Sequence, residues 1–206
     1  MTPDSARLGA LIDALAKREW VVADGLFPRA LVDGLREEAR AAWADAAFRH
    51  ARVGPAGDRH LMPEVRTDHV LWLDPEALTP LQAEYWVWVD ALRERIRREL
   101  FLPLVDFEAH LAVYPPGAFY RRHLDQFKFV QRRLVSCILY LNPDWAEGDG
   151  GQLRIYEPDG AGGERSHDVL PEPGRFVCFR SDTVPHEVLP ATRERYSLTG
   201  WMRRAG

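Results

Sequence analysis

Hydrophobic spacing changes once along the chain. From Ser5 to Lys17 the apolar residues Leu8, Leu11, Ile12 and Leu15 fall at helical intervals. WVVADGLF at 20–27 reads as a short strand and turn. Between Pro28 and about His50, Leu31, Leu35, Ala39 and Trp43 recur every four residues, which predicts an amphipathic helix with a charged outer face. Ala51 to Asp68, rich in glycine, proline and charge, predicts a loop. HVLWLD at 69–74 predicts a short strand, and Leu78 to Leu100 a third helix with Leu81, Tyr85, Trp88, Leu92 and Ile96 on one side.

After Pro103 the period drops to two. FEAHLAVY, FYRRHLD, LVSCILYL, GQLRIY, HDVL, RFVCFR, HEVLP and RYSLTGWM are short runs rich in β-branched and aromatic residues. Glycine-, proline- and aspartate-bearing clusters separate them. Eight short strands behind a helical preface predict an α+β chain whose C-terminal part is a double-sheet jelly roll. The helices then cover the outer face of one sheet. We read residues 1–206 as one domain, with helical support and a substrate-loop region at 1–103 and the jelly-roll core at 104–204.

Composition narrows the function classes. The chain has 206 residues, 46% hydrophobic and 11% aromatic, as expected of a folded globular domain. A net charge of −4 gives no reason to expect a nucleic-acid partner, despite basic pairs at Arg121-Arg122, Arg132-Arg133 and Arg203-Arg204. The two cysteines, Cys137 and Cys178, sit in apolar runs and read as buried thiols, not as a disulfide framework or a zinc site. The N-terminus lacks the pattern of a signal peptide, and no apolar run has the length of a membrane span. A cytoplasmic monomer with no membrane partner is the expectation.

Three residues suggest metal chemistry. His123 and Asp125 lie two apart in a segment that reads as strand, where alternate side chains share a face. His186 opens another strand-like run. Two imidazoles and one carboxylate on one face of an octahedron form the facial triad of non-haem iron oxygenases, with three positions left for an α-keto acid and O₂. The competing readings are a histidine bonded to its strand neighbour Asp125 and an exposed turn histidine after Pro185.

Arg195 adds a fourth element. On a strand, Arg195, Ser197, Thr199 and Trp201 share one face, and Tyr196 and Leu198 the other. A buried arginine requires an anion, because an unpaired charge in a core is costly. A dicarboxylate whose keto-acid end is on the metal meets that need through a bidentate pair. Arg193 is a rival on the same face, and a solvated charge cluster is the plain alternative. Tyr140, in the apolar run CILYLN, offers a hydroxyl that needs a partner if buried.

YPPGAFYRRHLD, SCILYLNPDW, GGQLRIY and HEVLPATRERYSLTGW, in that order, resemble the 2-oxoglutarate/iron(II) prolyl hydroxylase family, in particular the branch of the hypoxia-sensing prolyl hydroxylases and their bacterial relatives. The likeness runs from about Val21 to Trp201. It implies a double-stranded β-helix, the cupin-like form of the jelly roll. It implies iron(II) on His123, Asp125 and His186, with 2-oxoglutarate and O₂ as co-substrates and ascorbate as a further cofactor candidate. Arg195 and Tyr140 take the positions that hold the distal carboxylate of 2-oxoglutarate. Tyr114, Leu153, Val188 and Ile138 match pocket-lining residues, and Thr199 and Trp201 fall close to co-substrate and metal. Asp68 and Arg133 fall at positions linked to organisation of the substrate loop, where plain surface pairing of an aspartate with an arginine is the alternative. Residues 55–68 are read as a lid. The implied activity is hydroxylation of a prolyl residue in a protein or peptide. The competing functions are hydroxylation of a small molecule or free amino acid, and a jelly-roll module that binds metal or keto acid without turnover.

Overall fold

In a computed structural model, residues 5–54, 60–126 and 131–205 are described. Three helices precede or interleave with the first strands. α1 (Ser5–Arg18) buries Leu8, Leu11, Ile12 and Leu15. α2 (Arg29–Ala44) buries Leu31, Val32, Leu35 and Ala39. α3 (Pro80–Glu99) starts from a capping box in which the Thr79 side chain and the Gln82 backbone and side chain satisfy each other. Thr79 Oγ1 and Gln82 Nε2 also donate to Glu38 at 2.9 and 3.0 Å, so the same cap fastens α3 to α2.

The second helix stops earlier than its apolar spacing predicts. Ala47 N–H bonds to Ala42 O at 3.0 Å and Ala46 N–H to Trp43 O at 3.1 Å, the pattern of a Schellman closure. Ala46 takes the left-handed conformation, φ 54°, that glycine normally supplies at this position. The chain then turns into a short strand, Arg49–His50, where the sequence suggested more helix.

Among the described residues, eleven strands form two antiparallel sheets. They are β1 (Trp20–Ala23), β2 (Arg49–His50), β3 (His69–Trp72), β4 (Asp106–Tyr114), β5 (Tyr120–His123), β6 (Arg133–Tyr140), β7 (Leu153–Pro158), β8 (Glu164–Val169), β9 (Phe176–Arg180), β10 (His186–Val188) and β11 (Arg195–Arg203). The larger sheet runs β1-β9-β6-β11-β4-β3-β2 and the smaller β5-β10-β7-β8. This is the jelly roll expected after Pro103, with the first three strands extending its larger sheet.

Period-two alternation sorts each strand of the larger sheet between two cores. Val135, Cys137 and Leu139 of β6, with Tyr196, Leu198 and Met202 of β11, pack under the helices. Ile138 and Tyr140 of β6, with Ala112 and Tyr114 of β4, face the smaller sheet and meet Leu153, Ile155 and Val188. The helices thus cover the outer face of one sheet, as predicted. Cys137 and Cys178 are register partners, both free and fully buried, with sulfurs 4.0 Å apart. Burial pushes the Cys137 thiol up, so it stays protonated. The outer face of the smaller sheet carries ion pairs instead of helices: Arg154 with Asp168, and Arg122 with Glu164. No described helix is long and apolar enough to cross a membrane.

Candidate active site

Cross-strand register lays the inner face of the larger sheet out in rows. Trp201 of β11 pairs with Ser136 and Glu108. Thr199 pairs with Ile138 and His110, and His110 in turn with Trp72. Ser197 pairs with Tyr140 and Ala112. Arg195 pairs with Tyr114. Trp201, Thr199, Ser197 and Arg195 all line one pocket between the sheets, so the face predicted for this strand is the observed one. Leu153, Val188, Ile138 and Tyr114 line it as well.

At one end of the pocket His123, Asp125 and His186 each offer a ligand atom, and these atoms lie within 4.8 Å of one another. His123 ends β5 and His186 begins β10, and the two are register partners. His123 Nε2 lies 3.4 Å from Asp125 Oδ1, and His186 Nε2 3.7 Å from Asp125 Oδ2. The His123 Nδ1 lies 2.7 Å from Arg121 O, and the His186 Nδ1 3.0 Å from Val184 O. A carbonyl can only accept, so each Nδ1 carries the proton and each Nε2 presents a lone pair to the cluster. Phe179 packs its ring 4.5 Å from that of His186.

Strand alternation is not what brings Asp125 to His123. β5 stops at His123, and Asp125 lies in a bend beyond it. The bend is pinned by Gln126, whose backbone N–H bonds Ser181 O at 3.1 Å and whose side chain donates to Arg133 O at 2.9 Å. Ser136 Oγ then donates to Asp125 Oδ2 at 2.6 Å and shares a 2.8 Å bond with Ser181 Oγ. A β-bulge also re-aims His123. Tyr120 and His123, three apart on β5, face Val188 and His186, two apart on β10.

Electrostatics suit a cation. Burial opposes ionisation of Asp125, but His186, His123 and Arg133 outweigh it and hold the carboxyl well below its usual range. Burial, with help from His123, pushes His186 down to about 4 despite Asp125, leaving a neutral imidazole at ordinary pH. One carboxylate and two imidazole Nε2 atoms are the donor set that a divalent first-row metal takes.

The other end holds a buried cation. Arg195 is 1% exposed and has no acidic partner among the described residues. Its Nε donates to Gly151 O at 2.8 Å, and its guanidinium carbon lies 4.9 Å from the ring centres of both Tyr114 and Tyr140. Tyr140 sits beside Arg195 in the inter-sheet core, and its buried hydroxyl makes no hydrogen bond among the described residues. Burial pushes that hydroxyl up against the pull of Arg195, so it stays a donor. Gly151 holds φ 68°, and a Cβ there would meet Arg195 Cδ at 3.0 Å. Glycine at 151 therefore makes room for the arginine. Arg193, the rival, donates to Pro143 O and Asp144 O and pairs with Asp149, away from the pocket.

Asp68 and Arg133 do not form a surface pair. Asp68 is 1% exposed and accepts from Arg66 Nε and Nη2, at 2.7 and 2.6 Å. Arg133 lines the pocket, bonds Glu108 at 2.9 Å and stacks 3.6 Å over the Trp201 ring. The expected lid begins in residues 55–59, which lie outside the described residues; Arg66 and Thr67, within its range, are joined to β5.

Sequence reasoning missed several residues that line the pocket or hold its side chains. Ser136 alternates with Ile138 and Tyr140, and His110 with Tyr114, so strand period could have found both. Burial lowers His110 to about 3, which makes it a neutral pocket residue between Trp72 and Trp201, 5.0 and 5.3 Å from their rings. Arg66 and Tyr120 depend on a long-range bridge and a bulge, and no local signal marks them.

A family model, the 2OG-Fe(II) oxygenase superfamily, matches residues 109–203. Those residues hold all three clustered ligands and Arg195. A crystal structure of a Pseudomonas putida prolyl-4-hydroxylase is 46% identical, covers 97% of this chain and 100% of its own, and superposes with a TM-score of 0.84. The Egl nine homolog 1 of Rattus norvegicus is 43% identical over 97 residues, 46% of this chain and 28% of that protein. The chain thus matches less than a third of the length of that curated relative. A Trichoplax adhaerens prolyl hydroxylase, in complex with a hypoxia inducible factor oxygen degradation domain peptide fragment, shares the fold at 23% identity, with a TM-score of 0.85 over 95% of this chain and 88% of its own.

Proposed function

The chain belongs to the 2-oxoglutarate/iron(II) oxygenase superfamily, and from that premise we propose that it hydroxylates a prolyl residue in a protein or peptide, using O₂ and 2-oxoglutarate. One observation carries the reading. Three metal-ligating side chains converge at one end of a pocket, and a buried arginine with no acidic partner among the described residues stands at the other. The prolyl target follows the relationship to the P. putida prolyl-4-hydroxylase, which spans almost the whole chain.

The residues fit the co-reactants. His123 and His186, through Nε2, and Asp125, through its carboxylate, would hold the iron. Arg195 and the Tyr140 hydroxyl would take the far carboxylate of the diacid, which ends the isolation of one buried cation and one buried donor. When bound, iron(II) with 2-oxoglutarate and O₂ supplies the oxidising power to hydroxylate an unactivated carbon, with succinate and CO₂ released.

The protein's own part is orientation and exclusion of water. Backbone carbonyls of Arg121 and Val184 fix the imidazole tautomers, and Ser136 fixes the carboxylate. Ile138, Leu153 and Val188 give the pocket apolar walls that keep water from the reacting end. Trp72, His110 and Trp201 form an aromatic wall across β3, β4 and β11, against which the compact pyrrolidine ring of a prolyl residue can pack.

The test is incubation of a proline-containing peptide panel and free amino acids with iron(II), 2-oxoglutarate and O₂, scored by mass spectrometry for one added oxygen. Oxygen on a peptide prolyl residue, absent with His186→Ala, is the expected result. Oxygen only on free amino acids would move the substrate to the small-molecule class. Unchanged succinate formation by His186→Ala would remove the assigned site.

A further inference from the structure

His123 is held by more than its backbone bond. Its ring lies on the ring of Tyr120, with centroids 3.5 Å apart and planes 15° from parallel. The Arg66 guanidinium carbon sits 4.1 Å from the centre of the same tyrosine ring. His123 occupies one face of the ring, so the guanidinium lies on the other. Asp68, with its side chain fully buried, grips that guanidinium through both of its oxygens at 2.7 and 2.6 Å. Four side chains thus run in series from a buried carboxylate to a metal-ligating imidazole.

The backbone explains why they meet. Arg66 and Tyr120 are antiparallel bridge partners. Arg121 N–H bonds Val65 O at 2.8 Å and Thr67 N–H bonds Phe119 O at 3.0 Å, with Thr67 Oγ1 accepting from Phe119 N–H at 3.1 Å. Segment 65–68 is therefore an added, unnamed edge of the smaller sheet beside β5. The bulge that places Tyr120 opposite Val188 and His123 opposite His186 turns two residues three apart onto one face. Without that bulge, period-two alternation would put Tyr120 and His123 on opposite faces.

We propose that Arg66 and Tyr120 are positioning residues for the metal ligand His123, with Asp68 anchoring the series. This rests on the reading of His123, Asp125 and His186 as the metal site. The imidazole can turn about its Cβ–Cγ bond, and its Nδ1 bond to Arg121 O alone leaves a hinge. A parallel ring on its face removes that freedom and keeps Nε2 aimed at the cluster. The cation on the far face holds the tyrosine in place, with the contact strengthened because the guanidinium is largely out of water. Arg66 therefore acts only through Tyr120, and displacement of segment 65–68 is felt at the metal ligand.

Cobalt(II) alone, titrated into the full chain without substrate, tests this apart from turnover. The readouts are its dissociation constant and its visible ligand-field absorption. Tyr120→Leu should weaken cobalt binding about tenfold, as loss of a group that orients a ligand does, and change the absorption. Tyr120→Phe keeps the ring and should restore wild-type binding. Arg66→Ala should weaken binding severalfold, and Arg66→Ala with Tyr120→Leu should be no weaker than Tyr120→Leu alone. Circular dichroism checks that each variant is folded; if Tyr120→Leu does not fold, Arg66→Ala and Tyr120→Phe decide. Unchanged affinity and absorption in folded Arg66→Ala and Tyr120→Leu, or simple addition of their effects, would overturn the proposal. His123→Ala separates the two levels: if it binds cobalt as the wild type does, the metal site itself is misassigned and the positioning role falls with it.

Discussion

Ser136 has no ionisable group, yet it ties the site together. Its hydroxyl donates to the metal-facing carboxylate of Asp125 and meets Ser181 behind it. Removing it leaves Asp125 free to rotate. Ser136→Ala should weaken metal binding about tenfold while leaving the fold intact, checked by metal titration beside a thermal melt. At the far end, Arg195→Lys replaces a planar fork with a point charge. Loss of one charge-assisted bond, worth about 1.5–3 kcal/mol, should raise the KM for 2-oxoglutarate roughly 10- to 100-fold, measured by succinate release at saturating peptide. Much at this scale was legible in the sequence. Alternation along 195–201 identified the Arg195 face, and a buried arginine without an anion pointed to a diacid. What could not be read was how Asp125 arrives, because a bend pinned by Gln126 and Ser136 has no local period.

Elements were legible where their own residues decide them and obscure where a neighbour does. The three helices appear as apolar stripes, and the third, expected from Leu78, begins at Pro80 behind the Thr79 cap. The end of α2 was missed because an alanine, Ala46, fills the left-handed position. The β5 bulge was missed because it is a property of a strand pair. Gly200 shows a neighbour's demand directly: a Cβ there would meet Phe107 Cζ at 2.3 Å and Glu108 O at 2.8 Å. Gly200→Ala should cost about 1–3 kcal/mol by overpacking, read as a lower urea midpoint with the m-value unchanged. Glu157 joins β7 to β1 and β8. Its carboxylate accepts from the Trp20 indole N–H at 2.7 Å, and it faces His167, Arg165 and Arg18. The indole bond, opposed by burial and helped by His167 and Arg165, lowers it from 4.5 to about 2. A lowered carboxyl stabilises the fold fully above its unfolded value. That contribution fades as pH falls through about 2. The stability gap between wild type and Glu157→Gln should therefore be constant near neutrality and close between pH 4.5 and about 2, followed by urea unfolding across that range.

Across the molecule, the two faces of the larger sheet divide support from the candidate site. Helices bury one face of the larger sheet, and the other face is left to build a pocket against the smaller sheet. The smaller sheet needs no helical cover because its outer side carries paired charges. The clustered side chains of His123, Asp125 and His186, and Arg195, come from the C-terminal half, which is where the resemblance is densest in motifs. Arg66 and Trp72 come from the first half and line the pocket through β3 and its preceding segment, with Asp68 buried against Arg66. Strand order in the sheets brings them there, and strand order is set by long-range pairing that period cannot reveal.

Soaking manganese(II) and 2-oxoglutarate into crystals without O₂, and locating the metal by its anomalous scattering, tests the central assignment most directly. One metal peak within bonding reach of His123 Nε2, His186 Nε2 and the Asp125 carboxylate, with the diacid's far carboxylate on Arg195, is the predicted result. A metal bound elsewhere, or a diacid that leaves Arg195 without a partner, would contradict it.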